Sequence, residues 1–152
     1  MGYVEDIRAL VGHRPLILVG AVAVLVDGEG QVLLQQRKHP EGRWAFPGGL
    51  MELGESGEAT ARREVFEETS LEVGDLRLLN AYSGPEQFLV APNGDEYYVV
   101  TLAYVGTEFQ GTAKVNDSES MAVQFFALAD IPAGLVKTHR KILDDYLASG
   151  EA

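Results

Sequence analysis

Apolar residues recur along this chain in two rhythms, and the places where the rhythm changes mark its elements. From Tyr3 to Val11, Val4, Ile7, Leu10 and Val11 fall at helical spacing until Gly12 and Pro15 stop the pattern, predicting a packing helix without chemistry. Leu16 to Val26 is an almost unbroken valine-rich run, read as a buried strand. Asp27-Gly28-Glu29-Gly30 forms a turn and Val32 to Arg37 returns, which predicts a hairpin. Trp44-Ala45-Phe46 is a short strand entering a glycine turn at Pro47-Gly48-Gly49, with Trp44 expected in the core. Gly57 to Thr69 reads as a helix, with Ser56 as N-cap, Glu58 in the first turn and Ala59 and Ala61 as helix formers.

Further strands are expected at Leu76 to Tyr82, Phe88 to Val90 and Tyr97 to Val105, the last folding back on Phe88 across Asn93-Gly94. Gly106 to Ser120 is polar and reads as a loop of the functional kind. Val123 to Phe126 is the last strand and Thr138 to Ala148 a terminal helix; Lys137, His139, Arg140 and Lys141 form a basic cluster expected on a solvated helix start. Hairpins without a strict βαβ rhythm give an α+β sandwich with a mixed sheet. With 152 residues, 46% of them hydrophobic, one core and one domain spanning 1–152 are expected.

Composition narrows the classes of function. The absence of cysteine excludes a disulfide framework and a thiolate metal site, and fits a reducing cytoplasm. No apolar run free of charge is long enough to span a bilayer, and the N-terminus lacks a signal-peptide pattern, so no membrane partner is expected. A net charge of −11 argues against nonspecific nucleic-acid binding, which needs a basic face. The same charge would repel a phosphorylated substrate, so a site for one must bring its own cations.

Chemistry concentrates between Gly48 and Leu71. Glu64, Glu67 and Glu68 stand at i, i+3 and i+4, on one helical face with Cβ atoms about 5–6 Å apart. Such like charges destabilise a helix unless a hard divalent cation, which prefers oxygen ligands, lies among them. A Glu-rich helix in an acidic chain is also a common solvated face. The upstream glycines tip the balance, because they let backbone approach a ligand closely. Arg37, at the end of its strand near Trp44 and the glycine loop, suits a phosphate contact or a surface carboxylate partner equally. Among the strand aromatics Tyr82, Phe88, Tyr97 and Tyr98, packing competes with stacking on a nucleobase; Phe88 and Tyr98 are taken as candidate substrate contacts.

Gly49, Glu55, Arg63, Glu64, Val65, Glu67, Glu68 and Leu71 together resemble the box of the Nudix hydrolase family, in register, with Ser70 where the family has glycine. The resemblance implies a Nudix-type α/β/α sandwich and Mg²⁺- or Mn²⁺-dependent hydrolysis of a diphosphate linkage in a nucleoside diphosphate derivative. The substrate would be a nucleoside triphosphate, an oxidised nucleotide or an ADP-ribose-like molecule; Pro85 lies near a subfamily marker without standing clearly on it. It implies Glu67 and Glu68 as metal ligands, Glu64 as a third ligand or the base that activates water, and the Gly48 carbonyl as a further ligand. It makes Glu55 a ligand or the partner of Arg63, and Glu119 an added ligand or base from the loop before the last strand. Family members are often homodimers. A nucleotide-binding module without hydrolysis is the alternative, disfavoured because every box carboxylate is present.

Overall fold

The computed structural model describes residues 2–151 and builds them around the valine-rich run. That run, β1 (Leu16–Leu25), is the inner strand of a five-stranded sheet with β4 (Gly48–Leu50) antiparallel on one side and β8 (Glu96–Gly106) parallel on the other. β6 (Arg77–Tyr82) and β7 (Phe88–Val90) both pair antiparallel with β8, and Phe88 lies opposite Tyr98 across the expected hairpin. A three-stranded sheet packs alongside, in the order β10 (Ser120–Phe126), β2 (Val32–Arg37), β3 (Trp44–Ala45).

Two helices close the sandwich. α2 (Gly57–Thr69) lays Ala61 and Val65 against the face of β1 that carries Ala21, Ala23 and Leu25. α3 (Lys137–Ala148) packs Ile142, Leu143 and Tyr146 against the opposite face, on Val22, Val24, Ala103 and Val105. β1 therefore reads as a continuous apolar run because both of its faces are covered. Each of these large side chains contributes about 1.5–3 kcal/mol by leaving water.

Three expectations are corrected. The hairpin between β1 and β2 is limited to its turn: Asp27 Oδ1 accepts from the Glu29 and Gln31 amides at 3.0 and 2.9 Å, Val26 and Val32 form a single bridge, and the strands then part into different sheets. β2 separates because each strand is taken up by other partners, β1 by β4 and β8 and β2 by β10 and β3. The polar 106–120 segment is not all loop, since β9 (Phe109–Gln110) pairs with β5 (Glu72–Val73) behind the end of α2. The first helix, α1 (Tyr3–Val11), has no fully buried residue. It is held instead by Arg8, which donates to the carbonyls of Gly12, Arg14 and Glu96 at 2.9, 2.6 and 2.6 Å.

Both ends of α2 are capped. The Ser56 side chain accepts from the Ala59 amide at 3.0 Å, and Ser70 takes the left-handed C-cap with φ 68°. Such a conformation costs a residue with a Cβ about 1–2 kcal/mol, which is why glycine usually fills it.

Candidate active site

A cleft of about 790 Å³ opens on the α3 side of the sheet, between β1, the glycine turn and the start of α3. Glu64, Glu68 and Glu119 line it together with Arg37, Gly48 and Gly49. Three segments far apart in sequence thus deliver carboxylates and one guanidinium to a common space.

α2 presents its carboxylates in graded environments. Glu68 is buried and accepts from Gln35 Nε2 and from the Gly48 amide, both at 2.8 Å. Gln35 is itself fixed by the Ser120 hydroxyl, which donates to its Oε1 at 2.8 Å. Burial pushes the Glu68 carboxyl up to about 8 in spite of those donors, and the Glu64 charge pushes the same way. Glu64 is also raised, first by burial and then by the charges of Glu67 and Glu119, against the pull of Arg63. Glu67 points outward, 53% exposed, and is not among the residues lining the cleft.

Arg63 organises this face. Its Nε and Nη2 clasp both oxygens of Glu55 at 2.7 and 2.9 Å, its Nη1 donates to Glu64 at 2.8 Å, and Nη2 reaches the Leu50 carbonyl at 3.0 Å. Glu67 stands farther off, at 3.4 Å from Nη1. The Arg63 guanidinium holds the Glu55 carboxyl down at about 2, helped by the amide of Glu52 and the hydroxyl of Thr60. Glu55 is therefore committed to Arg63 and to the helix start rather than turned toward the cleft.

Glu119 arrives through the segment that closes the end of α2. The amides of Lys114 and Asn116 donate to the carbonyls of Thr69 and Glu68 at 3.0 and 3.2 Å, and Asn116 Nδ2 reaches the Phe66 carbonyl at 3.2 Å. Asp117 then turns the chain by accepting from the Glu119 and Ser120 amides, and the Lys38 amide donates to the Glu119 carbonyl at 3.0 Å. The loop expected to be functional is thus docked on the acidic helix.

Other candidates fall elsewhere. Phe88 and Tyr98 lean on each other with ring centroids 5.1 Å apart and do not line the cleft. Side chains alternate along β8, so Tyr97, Val99 and Thr101 face the cleft and Tyr98 the opposite side. Tyr82 belongs to the core, its hydroxyl donating to Asp145 Oδ2 at 2.6 Å. Trp44 meets Phe126 edge-on against the core, as expected. The basic cluster on α3 divides: His139 is 7% exposed and lines the cleft, whereas Lys141 faces solvent and pairs with Asp145 at 3.0 Å. The signal for His139 was the spacing His139, Ile142, Leu143, Tyr146, which puts the imidazole on the apolar face of the helix.

The NUDIX domain model matches residues 17–146 of this chain. The chain belongs to the NUDIX family. It is 35% identical over 144 residues to the ADP-ribose pyrophosphatase of Methanocaldococcus jannaschii, covering 92% of this chain and 80% of that protein. The MutT NUDIX hydrolase of Burkholderia pseudomallei superposes with a TM-score of 0.73 at 29% identity, over 86% of this chain and 98% of its own. The NUDIX domain of Shewanella oneidensis NrtR, solved with ADP ribose, shares the fold with a TM-score of 0.72 at 24% identity, over 98% of this chain and 99% of its own. As a member of this family the chain is a Nudix pyrophosphohydrolase, and its fold is the mixed α+β sandwich of these hydrolases.

The donor set of this Nudix site suits a hard divalent cation. Glu64, Glu68 and Glu119 offer only oxygen, and Arg63 shares one positive charge among three carboxylates, so the cluster is short of cations. Among the described residues no three acidic or histidine side chains are already gathered in ligating geometry, and both Glu68 oxygens accept N–H donors. The glycine turn is shaped around the carboxylates. A Cβ on Gly49 would lie 2.4 Å from the Glu64 carboxyl carbon, whereas one on Gly48 would lie 2.2 Å from the Ala21 carbonyl oxygen.

Those two contacts predict opposite phenotypes. Gly49→Ala displaces the flexible end of Glu64, and should lower turnover by about tenfold or more with little change in melting temperature. Gly48→Ala must move backbone in the central sheet and should destabilise by about 1–3 kcal/mol. Thermal melts beside initial rates separate them; a Gly49→Ala protein with wild-type rates would show that the Glu64 position is immaterial.

Proposed function

We propose that this Nudix chain hydrolyses the diphosphate linkage of a nucleoside diphosphate joined to a sugar or similar group, with ADP-ribose as the representative substrate. The carrying observation is the cleft lined at once by Glu64, Glu68 and Glu119, by Arg37 and His139, and by a glycine turn. The similarity to an archaeal ADP-ribose pyrophosphatase over most of both chains supports the substrate class.

Mg²⁺ or Mn²⁺ would be held by Glu64, Glu68 and the Gly48 carbonyl, with Glu119 nearby; Glu67, exposed outside the cleft, would join them only by turning its side chain inward. When bound it would neutralise phosphate charge and lower the pKa of a coordinated water. The chain's own residues do the rest. Arg63 fixes Glu64 and anchors Glu55, so the carboxylates keep their positions while charge develops at phosphorus. Glu64 or Glu119 takes the proton from the attacking water, and both line the cleft that would hold it. Water oxygen bonds to phosphorus, the P–O anhydride bond breaks, and two monophosphates leave. Arg37 supplies a cation for the non-reacting phosphate, which an acidic protein needs.

The test is a product-release screen over ADP-ribose, sugar nucleotides, nucleoside triphosphates and dinucleoside polyphosphates, with Mg²⁺ or Mn²⁺ and again with chelator. AMP and ribose 5-phosphate from ADP-ribose, abolished by chelation, is the expected result. Preference for a triphosphate would overturn the substrate assignment, and tight binding with no turnover of any compound would leave a nucleotide-binding module.

A further inference from the structure

His139 sits in the first turn of α3 and is the most constrained polar group in the cleft wall. Its Nδ1 accepts from the backbone amide of Phe46 at 3.0 Å, and its ring stacks on the Phe46 ring at a centroid distance of 5.9 Å. A ring nitrogen that accepts from an amide carries no proton, so in the neutral imidazole the proton lies on Nε2. Burial, with the Arg37 charge adding to it, lowers the His139 pKa to about 3, so the ring stays neutral at working pH. Among the described residues only Nδ1 of this ring has a hydrogen-bond partner, and Nε2 keeps access to water in a residue that is 7% exposed and lines the cleft. At the start of α3 the His139 and Arg140 amides already donate to the Val136 carbonyl at 2.9 and 3.0 Å, and Val136 and Thr138 line the same wall. A twelve-residue helix presents partial positive charge at that end. The two side chains that this wall offers to an anion are the Nε2–H donor and the Arg37 guanidinium.

We propose that His139 and Arg37 form a phosphate subsite at the α3 end of the cleft, in which the fixed Nε2–H donates to an oxygen of the substrate phosphate turned away from the carboxylates. The inference rests on the hydrolase reading above and adds to it a neutral, tautomer-locked donor. A neutral donor is useful there because it grips an anion without adding a charge that the buried wall would have to stabilise. It would act mainly on binding, leaving charge development at phosphorus to the acidic end.

Two substitutions separate this role from the support of Phe46. His139→Asn keeps an oxygen near the Nδ1 position to accept from Phe46 but has no donor at Nε2, while His139→Gln reaches the Nε2 position and gives up the acceptor. Calorimetric titration of ADP-ribose and of inorganic pyrophosphate without metal should show affinity about tenfold weaker for His139→Asn, with a near-wild-type melting temperature. His139→Gln should retain most affinity and melt lower. In steady state His139→Asn should raise KM more than it lowers kcat, and nitrogen NMR of histidine-labelled wild type should show the Nε2–H tautomer with its proton shifted on pyrophosphate binding. Wild-type affinity in His139→Asn, with hydrolysis intact, would overturn the subsite and leave the hydrolase standing. Weakened binding in His139→Asn, in a protein that turns over none of the screened compounds, would uphold the subsite and overturn the hydrolase. No binding of either probe by wild type would overturn the subsite outright.

Discussion

Glu68→Gln is expected to lower turnover at least about 100-fold while raising the melting temperature of the metal-free protein. The activity loss follows from removing one carboxylate of the cluster proposed to hold the cation. The stability gain follows from the burial that pushes the Glu68 carboxyl up to about 8. A group whose folded pKa lies above its unfolded value near 4.5 contributes fully below the unfolded value, and that contribution fades as pH rises through the folded one. The metal-free wild type should therefore weaken between about pH 4.5 and 8, and Glu68→Gln should not share that slope. Its amide fits the same pocket: the Gly48 amide still donates to the remaining oxygen, and Gln35 can flip to accept from the new NH₂ and donate to Ser120. Added Mg²⁺ should narrow the gap by stabilising only the wild type. Melts at pH 5 and 8, with and without Mg²⁺, check this. Equal melting in the two proteins at pH 8, or undiminished turnover, would refute it.

Arg63→Met carries the second large effect, on fold and rate together. It leaves Glu55 and Glu64 facing each other without the guanidinium and the Leu50 carbonyl without its donor. Loss of about 1–3 kcal/mol is expected from the stranded polar groups, and turnover should fall at least about tenfold as the carboxylates lose their alignment. Here the pH dependence has the opposite sign. Glu55 is held at about 2, below its ordinary 4.5, so its contribution is present above 4.5 and lost as pH falls through about 2. The wild type should thus exceed Arg63→Met most clearly near neutrality, and the difference should shrink in acid. Urea melts at pH 7 and pH 3 measure it; a constant difference would mean that the Arg63–Glu55 clasp adds nothing to stability.

What the sequence disclosed depended on whether the signal was local. The acidic helix and its Ser56 cap lie within one short stretch, where spacing alone dictates geometry, whereas the Arg63–Glu55 pairing is one of two roles that the family resemblance leaves to Glu55. The Phe88–Tyr98 hairpin was equally legible from Asn93-Gly94. Three things were not. The β1–β2 turn was visible but not the parting of its strands, which is decided by partners from distant segments. The face of β8 that meets the cleft is not marked locally where Tyr97 and Tyr98 adjoin, and a one-residue slip in a strand exchanges the cleft face for the outer face, Tyr97 for Tyr98. His139 is hidden in a run of basic residues, and the apolar spacing it shares with Ile142, Leu143 and Tyr146 is the better guide to its burial. Gln35, a polar residue ending the apolar run Val32-Leu33-Leu34, gave the same kind of clue to the environment of Glu68.

The parallel ladder between β1 and β8 has a kinetic meaning. It joins residue 16 to residue 97 and residue 25 to residue 106, so the strand that organises the core meets its main partner only after most of the chain is made. Such pairing closes a long loop before any contact rewards it, and non-local topologies of this sort fold slowly. Until β8 arrives, the valine-rich β1 can pair only with the short β4 and leaves its other edge open. The growing chain is then most prone to associate with others of its kind. The acidic character that makes this protein repel its own substrate would, over that interval, also keep its unfinished chains apart.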